Sequence, residues 1–215
     1  MDTLSNTEVA AAGLADWRKL GQALHARFRI PDLDTGARFA VVVAEAVGDH
    51  HPPEIRLGAG FADLAVATRE GGIWVTAADL DLARRISEIA AGLGLVPAPG
   101  EVAQVEYGLD TDDWERIGPF WAALMTGDAS ATIGNNVLDP TNRVANVWFQ
   151  GTEPHETPRQ RWHPDLWVAP ETAQSRIAAA LAAGGTVVDD SGAPSYTVLA
   201  DPDGNKVCVC TSLDR

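Results

Sequence analysis

The chain has 215 residues, of which 46% are apolar and 21% are charged, and its net charge is −14 at pH 7. This composition is ordinary for a soluble globular protein. The negative charge would repel phosphate backbones and anionic lipids, so we expect neither a nucleic-acid nor a membrane partner. The sequence shows no signal peptide and no apolar run near the roughly 20 residues of a membrane span, and we expect a cytoplasmic protein.

The first half reads as helix, strand, helix, strand, helix, which indicates an α+β domain. Leu14, Trp17, Leu24 and Phe28 have helical spacing and predict the first helix, although Gly21 weakens it.

The next helix is predicted for "DTGARFAVVVAEAVG", with a cap at Asp34 or Thr35 and an end at Gly48. Its spacing predicts an inner face made of Phe39, Val42, Val43 and Val47.

A strand in "GFADLAVAT" and a helix in "TAADLDLARRISEIAAGLG" complete the first half. The strand alternates apolar and less apolar residues, as a half-buried strand does. Thr76 and Asp79 have the spacing of a capping box at the start of the helix.

Two adjacent histidines, His50 and His51, precede Pro52 and Pro53. The prolines cannot continue a helix, and Pro52 favours an extended conformation at His51. A loop can aim both rings at one ligand, whereas adjacent side chains on regular structure do not face each other. The pair is therefore either catalytic or the ordinary surface end of a helix.

The stretch "LVPAPGE", Leu95 to Glu101, supplies the best domain boundary because its prolines stop the preceding helix and stiffen a linker. We expect domains at 1–96 and 101–215.

The second half repeats the order strand, helix, strand, strand, which predicts two βαββ modules around a shared cleft. Cys208 and Cys210 lie two apart in a predicted strand, at or beyond disulfide reach, and are expected to be buried thiols.

Three strings of the first half, covering residues 10 to 92, resemble the pterin-4a-carbinolamine dehydratase family. The matching features are Trp17, Phe28, Phe39, the Ala44–Glu45 pair, "HHP", the strand ending in Thr68 and the pattern T–x–x–D–x–x–LA. The resemblance implies a small α+β fold that forms homo-oligomers and eliminates water from a 4a-hydroxytetrahydropterin. Its antiparallel sheet would carry helices on one face.

The implied reaction needs an acid for the departing hydroxyl and a base for the ring N–H, and histidines suit both tasks. By resemblance, His50 and His51 are the catalytic pair. Arg69 stands where the family has a third histidine; it can hold an anionic oxygen but cannot act as a base. Arg69 could instead pair with Glu70 or Asp79.

Further substrate contacts are expected from six residues: Thr68, Glu70, Trp74, Gln150, His163 and Asp165. Trp74 could stack on a flat heterocycle or lie in a core or interface. His163 and Asp165 share one strand face and could serve the cleft or a structural hydrogen bond. The turn "DPDGN" at Asp201 is expected to be structural, and His25 and His155 are expected to be exposed and inert.

The strings "VANVWFQGTEP", "RQRWHPDLWVA", "LAAGGTVV" and "VLADPDGNKVCV" of the second half resemble the glyoxalase-like branch of the vicinal oxygen chelate superfamily. Its metal-dependent members take one ligand from each of four strands. The corresponding residues here are Gln104, Gln150, His163 and Cys208, a poor set for the metals of this fold. We therefore expect no metal and no other cofactor.

The leading hypothesis is a lyase of the pterin carbinolamine dehydratase type that acts on a pterin or a related small cyclic substrate. The alternative is a non-catalytic protein that binds a small molecule in the glyoxalase-like cleft while the N-terminal domain drives dimerisation. A protein-interaction role is a third hypothesis, which no sequence feature specifically supports.

Overall fold

A computed structural model of the chain describes residues 2–48, 50–139, 141–142, 144–153, 162–200 and 206–214, without the side chains of positions 120 and 124. The chain divides into two compact units. The N-terminal unit comprises residues 1–103, 168–172 and 211–215, and the C-terminal unit comprises residues 104–167 and 173–210. No helix in the described part of the chain has the length and apolar character of a membrane span.

The N-terminal unit is built from helices and an antiparallel sheet. Its elements are α1 (Asn6–Ala11), β1 (Arg18–Leu20), β2 (Ala23–Arg29), α2 (Leu33–Val47), β3 (Glu54–Gly58), β4 (Phe61–Val66), α3 (Ala77–Gly92) and β5 (Val96–Pro97), followed by a 3-10 turn (Pro99–Glu101). The strand order is β1-β2-β4-β3, and β5 pairs with β2 off this path. Helices α2 and α3 supply Phe39, Val43, Leu82 and Ile86 to the hydrophobic core.

The helix predicted through Leu14 to Phe28 is wrong, because this segment forms the hairpin of β1 and β2. Gly21 has a φ of 58° and turns the chain between the two strands. Core positions of β2 then alternate, with Leu24, Ala26 and Phe28 buried. Period-two burial is the mark of a strand, and the coincidental helical spacing concealed it.

Helix α2 is confirmed, but its cap and inner face differ from the prediction. Asp32, not Asp34 or Thr35, is the N-cap and accepts a hydrogen bond from the Thr35 N–H at 2.7 Å. Val42 is 37% exposed, whereas the other three predicted core residues of this helix are buried. The helix ends at Val47, and Gly48 follows with φ 61° and ψ −131°.

His25 is not an exposed residue as predicted. It lies in β2 opposite Arg18 of β1 on one side and Ala65 of β4 on the other. Burial lowers the pKa of His25 to about 4, and the positive charge of Arg56 also lowers it. The carboxylates of Glu54 and Asp63 act in the opposite direction and raise it. The other histidine expected to be inert, His155, lies outside the described residues.

The C-terminal unit consists of two modules on one mixed sheet. Its elements are β6 (Ala103–Thr111), α4 (Trp114–Thr126), β7 (Thr132–Ile133), β8 (Asn136–Val137), β9 (Val147–Gly151), β10 (Trp162–Val168), α5 (Pro170–Ala182), β11 (Thr186–Asp189), β12 (Tyr196–Ala200) and β13 (Lys206–Cys210). The sheet order is β11-β12-β13-β10-β6-β9-β8-β7. The first strands of the two modules, β10 and β6, are therefore neighbours at the centre.

The predicted repeat of two modules is confirmed, but each helix is followed by three strands and not by two. In the first module, "ASATIGNN" makes the short hairpin of β7 and β8. Pro119 lies inside α4 without delaying its start at Trp114. One face of this sheet packs on α4 through Leu109, Val147 and Phe149. The fold is thus α+β, with an antiparallel sheet and helices followed by a glyoxalase-like arrangement of modules.

The opposite face of the central strands is rich in polar and aromatic side chains, and we call it the polar face. Cross-strand partners and strand alternation assign to it Gly108, Asp110, Trp148, Gln150, His163, Asp165 and Cys208. Cys208 is half-buried, Cys210 is buried, and both are reduced thiols.

Candidate functional site

His50 lies in the short loop between α2 and β3, where Gly48 and the two prolines leave no regular structure. Its backbone N–H donates to the Val47 carbonyl at 3.2 Å, so the turn after the helix fixes the residue. The His50 side chain is only 10% exposed. The loop therefore directs this imidazole inward.

Both nitrogens of the His50 ring face oxygen atoms. Nδ1 lies 2.8 Å from the carbonyl oxygen of His51, and Nε2 lies 3.4 Å from Asp79 Oδ1. Only the imidazolium form can donate to two acceptors at once. The Nε2 to Oδ1 distance is longer than that of a normal hydrogen bond, so the two groups are in polar contact.

Asp79 is fully buried, and a small network from two segments holds it. Its Oδ2 accepts hydrogen bonds from Thr68 Oγ1 at 2.9 Å, from the Thr76 N–H at 2.7 Å and from Thr76 Oγ1 at 2.8 Å. Its Oδ1 is buried and makes no hydrogen bond with a described residue, which leaves His50 Nε2 as its facing group. A buried carboxylate oxygen without a polar neighbour is costly, and the His50 ring is the polar group that faces this one.

Sequence reasoning identified Asp79 only as half of a capping box. That box is present in the structure, and it orients one carboxylate oxygen. The role of the other oxygen depends on the approach of the His50 loop, which no local pattern shows. Thr68, which stays a predicted substrate contact, is buried, and its Oγ1 donates to Asp79.

His51 differs from its neighbour, because its side chain is exposed. The two rings lie 6.2 Å apart between centroids and are nearly perpendicular, at 86°. One histidine is thus fixed against a carboxylate, and the other is accessible to a small molecule.

The remaining predicted residues of this site lie on the loop from Thr68 to Trp74. The two ends are joined by paired backbone hydrogen bonds, each 2.9 Å long. Arg69 and Glu70 are exposed at its tip, and Arg69 forms no ion pair with Glu70, Asp79 or any other described residue. Trp74 is 43% exposed and its ring covers Gly72, so it is not a core residue.

The second group of predicted residues comes together on the polar face. His163 Nε2 lies 3.4 Å from Asp165 Oδ1, and Cys208 is the cross-strand partner of Asp165. Ligand atoms of these three residues all lie within 4.8 Å of one another. Gln150 lies beside Asp110 on the neighbouring strands and is exposed.

Two buried carboxylates of the C-terminal unit each accept a hydrogen bond from an indole N–H. Trp148 Nε1 donates to Asp165 Oδ2 at 2.7 Å, and Trp167 Nε1 donates to Glu106 Oε2 at 2.8 Å. Asp165 is 3% exposed and Glu106 is 4% exposed. Sequence reasoning missed Glu106, Trp148 and Trp167. Trp167 lies two residues after Asp165 on β10 and therefore on the same strand face, which could have suggested it. The turn at Asp201 lies outside the described residues.

Two family models match separate parts of the chain. The model described as Pterin 4 alpha carbinolamine dehydratase matches residues 2–89, and the one described as Glyoxalase-like domain matches residues 106–210. The chain joins a pterin-4a-carbinolamine dehydratase-like domain to a glyoxalase-like domain. The histidine pair and Asp79 belong to the dehydratase-like domain, and the polar face belongs to the glyoxalase-like domain.

Two individual proteins are similar to parts of the chain. A transcriptional coactivator/pterin dehydratase from Brucella melitensis has a solved structure that matches 41% of this chain and 99% of its own, with 30% sequence identity and a TM-score of 0.38. Cobyric acid synthase from Mycolicibacterium vanbaalenii is 31% identical over 164 residues, or 74% of this chain. The chain spans 28% of the length of that synthase.

The glyoxalase-like domain does not fit the four-strand metal pattern of the superfamily it resembles. Gln104, taken for the first of the four ligands, lies four residues before Gly108, or about 13 Å along β6. Gly108 is the residue of that strand that the His163 ring touches. Gln104 and His163 therefore do not approach one ion.

Proposed function

We propose that the dehydratase-like domain is a hydro-lyase that eliminates water from a 4a-hydroxytetrahydropterin or a related small cyclic substrate. The observation that carries this proposal is the pairing of His50 with the buried Asp79 beside the exposed ring of His51. An imidazole fixed by a carboxylate and an accessible imidazole are the two proton-transfer groups that such an elimination needs.

In the proposed reaction, the bond between carbon and the hydroxyl oxygen breaks while the adjacent ring nitrogen loses its proton and forms a C=N bond. A proton from the His50 imidazole passes to the departing hydroxyl, which leaves as water. Asp79 lies against the ring from the buried side and positions it. The exposed His51 ring takes the proton of the ring nitrogen, and proton exchange with solvent resets the pair.

The loop from Thr68 to Trp74 is the proposed source of further substrate contacts. Arg69 is exposed and has no ion-pair partner among the described residues, so its guanidinium is available to a carbonyl oxygen that gains negative charge. The exposed face of Trp74 suits a flat heterocycle. Glu70, at the tip of the same loop, is a contact that we propose from its position alone.

Turnover of an enzymatically generated 4a-hydroxytetrahydropterin by the purified full chain tests this proposal. We expect the quinonoid dihydropterin to form faster with the wild type than without protein, and His50→Ala and His51→Ala each to lower the rate about 10²-fold. His163→Ala, in the glyoxalase-like domain, is the matched control and should retain the wild-type rate. Equal rates for wild type, His50→Ala and His51→Ala would overturn the proposal.

A second candidate function is small-molecule binding by the glyoxalase-like domain without catalysis. The observation in its favour is the polar face, where Trp148 and His163 pack edge-to-face at 5.4 Å beside the buried Asp165. Gln150, His163 and Asp165 are the proposed contacts. Calorimetry against pterins and aromatic metabolites separates the two candidates, since tight binding that Trp148→Phe weakens, in a chain without turnover, favours this one.

We also propose the domain limits, the oligomeric state, the cellular location and the classes of partner. Domain limits at 1–96 and 101–215 are supported by the two family matches, which fall inside them. We propose a homo-oligomer, because β1 and β3 are the outer strands of the first sheet, and strand edges favour self-association. The reduced thiols of Cys208 and Cys210 suit the cytoplasm, and the net charge of −14 argues against nucleic-acid and membrane partners.

A further inference from the structure

We propose that a cavity of the N-terminal unit binds a small cyclic carboxylic acid, with the ring inside the cavity and the carboxylate at its rim. The cavity encloses about 190 Å³. It lies between α1, the hairpin of β1 and β2 with the turn before it, and the segments 168–172 and 211–215 that complete this unit. None of the described residues that line it belongs to the loops of His50 or Trp74, so the proposal is independent of the dehydratase function.

The volume of the cavity suits one ring with one small substituent. An apolar cavity of about 150 Å³ accommodates benzene, so about 190 Å³ leaves room for one further group of a few atoms. Drug-sized ligands need pockets of roughly 300–1,000 Å³ and would not be enclosed here.

The inner walls of the cavity are apolar. Val9, Trp17 and Leu24 line it, and all three are buried members of the N-terminal hydrophobic core. Leu14 and Leu213 add to the apolar lining. A ring bound against these side chains is removed from water together with the surface that it covers, which is the favourable term in apolar binding.

One side of the rim is a fixed ion pair between Arg18 and Glu171. Arg18 Nε donates to Glu171 Oε1 at 2.9 Å, and another guanidinium nitrogen donates to the carbonyl oxygens of Ala15 and Trp17 at 2.9 and 2.7 Å. The hydrogen bonds from Arg18 lower the pKa of Glu171, so the carboxylate stays charged near neutral pH. The pair as a unit therefore carries no net charge.

Lys19 gives the rim its positive sign. It is the third charged residue among those that line the cavity, and its charge adds to that of a neutral pair. Lys19 lies directly opposite Leu24 in the pairing of β1 with β2, so its aliphatic stem starts beside the apolar wall. Its Nζ donates to the Gly21 carbonyl oxygen at 2.8 Å, which holds the ammonium near the hairpin turn. A monoanion with an apolar body matches this lining, whereas a cation of the same shape does not.

Fluorine NMR titration of the full chain with three ring compounds of similar shape tests the proposal. The compounds are para-fluorobenzoate, para-fluorobenzyl alcohol and para-fluorobenzylamine. We expect saturable binding of the acid, binding of the alcohol about 10-fold weaker because it lacks the charge that Lys19 attracts, and still weaker binding of the amine. Added salt should weaken the binding of the acid and leave that of the alcohol unchanged.

Blocking the cavity locates the bound acid. Ala10 is exposed on α1 and lines the cavity, so Ala10→Trp should fill it and abolish binding of the acid without disturbing the core. Ala11→Trp is the matched control, because Ala11 is the next exposed position of the same helix and is not among the described residues that line the cavity. This control should bind the acid as the wild type does.

The charge at position 19 decides the preference for an acid. Lys19→Met should lower the affinity for the acid about 10-fold, to that of the alcohol, whereas Lys19→Arg should keep the preference. The proposal would be overturned by absence of saturable acid binding in the folded wild-type chain, by acid binding that survives Ala10→Trp, or by amine binding as tight as that of the acid.

Discussion

Asp79 faces His50 across 3.4 Å with one oxygen while its other oxygen caps helix α3 through Thr76. One buried carboxylate thus connects the start of a helix to the loop that carries the histidine pair. The stability of the domain and the geometry of its candidate site therefore depend on the same residue.

Asp79→Asn should lower both stability and turnover. The amide can accept at one end only, so either the capping bonds or the interaction with His50 is lost, at a cost of about 1–3 kcal/mol. We expect kcat to fall roughly 10²-fold with little change in KM, because a group behind the histidine positions it and does not bind substrate. Urea denaturation and steady-state kinetics measure the two effects.

Asp81→Asn on the same helix is the control, since the side chain of Asp81 is 70% exposed. It should leave kinetics unchanged. A raised KM with unaltered kcat in Asp79→Asn would contradict the positioning role.

Arg69→His should increase dehydration. The change places an ionisable imidazole on the exposed loop beside Thr68, at the position where the related family carries a histidine. We expect kcat/KM to rise about 10-fold, because a third group that exchanges protons near neutral pH becomes available. Arg69→Gln removes the charge without adding such a group, and equal kinetics for the two variants would refute the prediction.

His25 should make the free energy of unfolding depend on pH. The unfolded chain protonates this residue with an ordinary pKa of 6.5, and the folded chain only near 4. Between these values the unfolded state binds more protons, so stability rises with pH across this window and is lost as pH falls toward 4. The free energy of unfolding lost in this way approaches roughly 3 kcal/mol once the pH is below the folded-state pKa of His25.

Denaturation of wild type and His25→Gln at pH 7 and pH 4.5 isolates this contribution. Relative to wild type, the free energy of unfolding of His25→Gln should be higher at pH 4.5 than at pH 7. An identical pH dependence for His25→Gln and wild type would exclude the proposed penalty.

Gly108→Ala should disturb the polar face. A Cβ atom at this position would lie 2.3 Å from Cε1 of His163, so the ring must move. We expect the free energy of unfolding to fall by about 1–3 kcal/mol. Gly151→Ala is the control on neighbouring β9, because a Cβ atom added there would meet no described atom within 4 Å. Equal stability of Gly108→Ala and Gly151→Ala in urea denaturation would contradict the close approach of His163 to Gly108.

Sequence patterns predicted most elements of the C-terminal unit because each combines an alternating strand with a capped or glycine-terminated helix. The hairpin at 18–29 escaped prediction because Leu14, Trp17, Leu24 and Phe28 mimic a helical stripe, whereas Leu24 and Phe28 lie on paired strands and are buried there. Tertiary packing, not local spacing, decided that segment.

The candidate sites were predictable only in part. His50 and His51 could be singled out by their proline-bounded loop, but their unequal exposure could not, because Asp79 reaches His50 from a helix 29 positions later in the chain. Likewise His163 and Asp165 share a face by alternation, whereas Cys208 joins them through parallel pairing between distant strands. Contacts of this kind depend on strand register, which no single segment encodes.

Gly48 illustrates how a residue can be intolerant of change without touching anything. A side chain there would meet open space, with no described atom within 4 Å of its first carbon, yet φ of 61° with ψ of −131° is closed to residues that have a Cβ. Replacement of Gly48 by each of the other residues should therefore be unfavourable whether the new side chain is large or small. The constraint comes from the backbone conformation that precedes His50 and not from the space available to a side chain.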